Sequence, residues 1–137
     1  MSPLTYDPPS QSAFAAALQA RLDAVATVEA YILKPVASKP SKGYVWAQVG
    51  GVNEFASRMT GVTSDGGGVV ILHCCGFVPA QAVVTDELVA DALRGWRWSD
   101  APHISPLRLT SVSEVITDNS VPTDVRYSIT RMYRYDA

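Results

Sequence analysis

Apolar residues recur at Phe14, Leu18, Leu22 and Val25, and spacings of 4, 4 and 3 place them on one face of a helix. Gln19, Arg21 and Asp23 point away from that face. Ser10 or Ser12 fits the N-cap, and the helix is expected to end near Ala26, before the β-rich "VEAYIL". Residues 1–11 carry three prolines and no periodicity, which predicts an extended N-terminal arm.

Further along, "PVASKPSKG" reads as a loop over Pro35–Gly43, and the alternating "YVWAQV" predicts a strand over Tyr44–Val49. Gly50–Gly68 is polar and glycine-rich; its centre, "EFASRMTGV", suits a short strand, and "SDGGG" a turn. Val69–Phe77, "VVILHCCGF", is the most apolar run, and its β-branched start and flanking glycines favour a strand. A second helix begins at Pro79, where the missing N–H costs nothing. Its predicted apolar stripe is Val84, Leu88, Ala92 and Leu93, widened by Val83 and Val89. Asp86, Glu87 and Asp91 are expected on its solvent face, and Gly95 as its stop. "WRWSDAPHISP" is a loop. Leu107–Thr117 and Val125–Tyr135 read as an antiparallel pair joined by "DNSVPTD".

This order predicts a single α+β domain over residues 12–137. It is a two-layer fold with a mixed or mainly antiparallel sheet of four to five strands and two helices packed on one face. With helices on one face only, the other sheet face needs a partner or a polar coat. Composition narrows the class. A net charge of −2 lacks the footprint expected of a protein that binds nucleic acid or an anionic membrane. No window reaches the ~18–20 apolar residues of a membrane span. The start, "MSPLTYDPPS", does not have the form of a secretory signal, and two adjacent cysteines do not make a disulfide framework, which points to a reducing cytosol. Arg outnumbers Lys 8 to 3, a lean toward a GC-rich bacterial or phage genome.

His73, Cys74 and Cys75 are the candidate chemistry. On a strand His73 and Cys75 share one side and Cys74 takes the other. Structural zinc needs four convergent ligands, commonly in Cys-x₂₋₄-Cys and His-x₃₋₅-His groups, and neither this run nor the distant His103 offers that spacing. A Cys/His nucleophile would need an oxyanion site and an orienting group that the neighbouring sequence lacks. The cysteines are read as compact filler, with no cofactor and no metal expected. "GVTSDGGG" lacks the Lys-Ser/Thr of a phosphate loop and leads into a strand instead of a helix. In the last strand Val125, Tyr127, Ile129, Arg131, Tyr133 and Tyr135 share one side. Arg126, Ser128, Thr130, Met132 and Arg134 share the other. Tyr, Met and Arg are enriched at protein interfaces, so interface is the theme left standing; Trp46, Trp96 and Trp98 are core or subunit anchors.

The sequence of "AFAAALQARLDAV", "YVWAQVGG" opening a long loop, "GGGVVILHCCGFVPAQAVVTDELVADALRG" and a closing "RYSITRMYRYDA" resembles the tail-terminator and tail-completion proteins of long-tailed bacteriophages. The resemblance spans about residues 12–136. It implies a non-enzymatic virion protein forming a homohexameric ring at the head–tail junction, assembled in the bacterial host cytoplasm. Such a ring caps the tail tube, ends its polymerisation and joins it to the head-side neck connector, with DNA passing through its lumen. Its implied partners are copies of itself, the tail-tube protein and the neck protein. The arm and the loop at residues 50–68 are expected at subunit or tube contacts. Candidate contact residues are Asn53, Glu54, Arg58, Met59 and Asp65 in the loop, and Arg126, Arg131, Tyr133, Arg134 and Tyr135 in the last strand. A head-side stopper or adaptor is the alternative within the same class. A small Cys/His-dependent enzyme using His73, Cys75 and His103 is the remote one.

Overall fold

A computed structural model describes residues 11–36, 40, 42–51, 67–102 and 104–136. The elements in chain order are α1 (Gln11–Asp23), β1 (Glu29–Ile32), β2 (Tyr44–Gly51), β3 (Gly68–Gly76), α2 (Pro79–Leu93), β4 (Arg108–Val112), β5 (Ile116–Asp118) and β6 (Arg126–Tyr135). They build the expected two-layer α+β fold, with an open mixed sheet and both helices on one side of it. The strand order is β1-β2-β3-β6-β4, with β5 also paired to β6. β1 runs parallel to β2, and every other pairing is antiparallel.

Among the described residues the sheet has six strands, where the sequence pattern predicts four or five. "VEAYIL" supplies β1, and the run expected as one strand over Leu107–Thr117 divides into β4 and β5. Both halves lie on the same side of β6, so they form one interrupted row. A register shift between Leu109 and Ser111 bends it. In the gap the Ser113 N–H donates to the Thr130 carbonyl at 2.9 Å, and the Thr130 N–H donates to Ser113 Oγ at 2.9 Å. The serine thus completes the ladder where the strand conformation lapses.

α1 buries Phe14, Ala15, Leu18 and Leu22, largely the predicted stripe, but its last turn closes at Asp23. Val25 donates its N–H to the Leu22 carbonyl in the turn that follows. Ser12 lies inside the helix, and Gln11, expected in the arm, is its first residue. The core joins these residues to Ala30, Ile32, Val45, Ala47, Val70, Leu72, Cys74, Val89 and Leu93. Phe14, Trp98 and Tyr135 close it at one end, with ring centroids 4.7–5.8 Å apart.

The stripe of α2 differs from expectation. Its buried positions are Ala82, Thr85, Asp86, Val89 and Leu93, whereas Val84 is exposed. Apolarity misplaces the face because two polar residues point inward with their needs met. Thr85 Oγ1 donates to the Gln81 carbonyl at 2.8 Å, within its own helix. Asp86 pairs with Arg131 of β6 through two hydrogen bonds, Nη2 to Oδ2 at 3.1 Å and a shorter one from Nε to Oδ1. Asp86 is therefore a buried ion-pair partner and not part of the solvent face. The helix opens at a tight corner. The Phe77 N–H donates to Gln81 Oε1 at 2.7 Å, and a Cβ on Gly76 would sit 2.6 Å from the Ala82 nitrogen. It ends as expected at Gly95, whose φ of +66° suits glycine. Residues 1–10 of the expected arm, the short strand at 54–62 and His103 lie outside the described residues.

Candidate functional site: the uncovered sheet face

Strand alternation assigns each side chain a face. Opposite the helices stand Tyr31 of β1, Trp46 and Gln48 of β2, and Val69, Ile71, His73 and Cys75 of β3. Arg126, Ser128, Thr130, Met132 and Arg134 of β6 join them. Among the described residues no helix packs on this side. Trp46, Val69, Ile71, His73, Thr130 and Met132 are nevertheless half-buried by one another. The register aligns them in rows across the sheet, Tyr31–Trp46–His73–Thr130 beside Gln48–Ile71–Met132.

His73 sits at the centre. Its ring stacks on Trp46 with centroids 3.8 Å apart and planes 12° from parallel. Nε2 lies 3.4 Å from Gln48 Oε1 and Nδ1 lies 3.3 Å from Thr130 Oγ1. An amide oxygen only accepts, so Nε2 carries the proton and Nδ1 accepts from the threonine hydroxyl. Burial pushes the His73 pKa below its ordinary value. The imidazole is held neutral in one tautomer, as a packed polar plate.

Cys75 shares this face with His73 but does not address its ring. Its Sγ lies 3.4 Å from the His73 carbonyl oxygen, the acceptor of its S–H. Burial pushes the Cys75 pKa up to about 11, and pushes that of Cys74 higher still. At neutral pH both are thiols, and the thiolate is the nucleophilic form. No group of three or more His, Cys, Asp or Glu residues converges on a metal-sized site among the described residues.

Arg126 anchors one end of the face. Its Nη1 donates to Tyr44 Oη at 2.8 Å and its Nη2 to Asp124 Oδ2 at 2.8 Å, and the guanidinium lies over the Tyr44 and Phe77 rings. The Asp124 hydrogen bond, followed by that to Tyr44, raises its pKa above the ordinary arginine value. At the other end Arg134 is exposed beside Asp136.

Of the candidate contact residues, Arg126 and Arg134 therefore lie on this face. Arg131, Tyr133 and Tyr135 do not: Arg131 is turned to the helix side by Asp86, and the two tyrosines are 4% and 0% exposed within the core. Their odd-numbered positions face the helices, so tyrosine and arginine content alone misreads them as surface. Asn53, Glu54, Arg58, Met59 and Asp65 lie outside the described residues. The centre made by Trp46, Ile71, His73 and Met132 was missed as a unit. Its signal was the unbroken apolar run "VVILHCCGF", which marks a strand with two faces to satisfy. No model of a known protein family and no curated protein matches the chain.

Proposed function

We propose that this chain is a structural subunit of a long-tailed phage particle, of the tail-terminator kind. It joins copies of itself in a ring that caps the tail tube, stops its polymerisation and meets the head-side neck. The observation that carries this reading is the sheet face on which no helix packs among the described residues. Trp46, Ile71 and Met132 form an apolar centre, framed by Gln48, Thr130 and the end arginines. Large aromatic and thioether groups inside a polar frame are the composition of a protein-docking surface. The chemistry of the two thiols fits the same reading, since both are buried and protonated.

Electron microscopy of particles assembled without this chain tests it. Tails of uncontrolled, excessive length are expected; tails of normal length would contradict the proposal. Co-purification with tail-tube subunits in preference to portal separates a terminator from a head-side stopper.

A further inference from the structure

The two edges of the sheet are finished differently. At the β1 edge, Ala30 and Ile32 turn their backbone groups away from β2, as the Glu29 N–H bond to the Gly43 carbonyl requires of alternating residues. Gln19, reaching down from α1, takes two of these groups at once. Its Nε2 donates to the Ala30 carbonyl at 2.9 Å, and the Ile32 N–H donates to its Oε1 at 3.0 Å. Those are the two atoms that one residue of a parallel neighbouring strand would bridge, so the side-chain amide stands in for that residue. Asp23, one turn on, accepts a second hydrogen bond from Nε2 at 2.8 Å. A carboxylate accepts and does not donate, which fixes the amide with its NH₂ toward Ala30.

The β4–β5 edge has no such stopper among the described residues. All eight of its strand residues are exposed. The apolar side chains there include Leu109 at 50%, Val112 at 44% and Ile116 at 48% exposed. Among the described residues α1 packs on β1 and β2 and α2 on β3 and β6, and α2 flanks only the Leu109 end of this row, across a groove lined by Ala90, Leu93 and Arg94. A chain with two open edges would join copy to copy edge on edge, because β4–β5 of one copy laid on β1 of the next is a head-to-tail contact that repeats indefinitely unless its rotation closes a ring.

We propose that Gln19 is an edge lock: it withholds β1 from strand pairing, leaves β4–β5 as the strand-accepting edge among the described residues, and so prevents copies of this chain from joining edge to edge in an open-ended sheet. The occupant that it excludes is the β4–β5 edge of a second copy. The proposal concerns the chain's own edges and stands whether or not the chain caps a tail.

Sedimentation velocity over a range of concentrations tests it, on the purified full chain and on Gln19→Ala and Gln19→Met. Thermal melts of each follow the fold. Both variants are expected to melt cooperatively and to form species whose mass rises with concentration without a plateau, where the parent shows a discrete size. Adding Leu109→Lys and Val112→Lys, two exposed changes that charge the opposite edge, is expected to return the Gln19 variants to the parental size. Three results would overturn the proposal: a parental size distribution in the folded single variants, growth that persists with the lysines in place, or loss of cooperative folding in both single variants, which would make Gln19 a strut of the fold.

Discussion

A neutral His73 pressed on Trp46 makes the open face sensitive to acid. In the unfolded chain the imidazole titrates at its ordinary 6.5, and in the fold lower, so between those values the unfolded state binds more protons. Stability therefore falls as pH drops through 6.5, and the loss levels off below the folded pKa. Melting temperatures at pH 7.5 and 5 should differ more for the parent than for His73→Gln. Asp86 and Arg131 are the costlier pair, with side chains only 10% and 14% exposed. Asp86→Ala leaves a partly buried guanidinium without its counter-charge and is expected to cost about 3 kcal/mol by denaturant titration. A paired Asp86→Leu, Arg131→Met protein should recover most of that loss. The thiols make a third test at this scale. With Cys74 and Cys75 buried and protonated, a thiol-specific disulfide reagent should label native protein far more slowly than denatured protein.

Elements were legible where one period dominated. The Phe14–Leu18–Leu22 spacing located α1 and alternation located β2, because each reports a single buried face, while the unbroken run "VVILHCCGF" located β3 as a strand with two faces to satisfy. The face of α2 was not legible, since its inward Thr85 and Asp86 depend on Gln81 and on Arg131, 45 residues away. Tertiary pairing decides such positions, and composition does not carry it. The same holds for the last strand: alternation separated its two sides, but only the helices reveal that the Tyr133 side is the inner one. The Gly76 corner between β3 and α2 is where an element boundary is most exacting. Gly76→Ala pushes a methyl into the backbone of α2 and is expected to destabilise by about 1–3 kcal/mol. A similar change at Gly50, with open space around its Cβ, should fall well short of that in the same denaturant titration.

At the scale of the molecule, and among the described residues, helices roof one side of the sheet and none roofs the other, while Gln19 locks β1 and β4–β5 stands open. This asymmetry suits a subunit whose contacts with its neighbours are few and directed. Ile71→Glu and Met132→Glu place charge on half-buried positions at the centre of the face that no described helix covers, so they should abolish the proposed ring while leaving a cooperatively folding chain. The resemblance to tail terminators gives this surface its proposed occupants. The most direct measurement is the native mass of the purified chain, alone and with tail-tube subunits. A single closed multimer that takes up tube protein is the predicted result; a mass of one chain at all concentrations, unchanged by tube protein, would contradict the account.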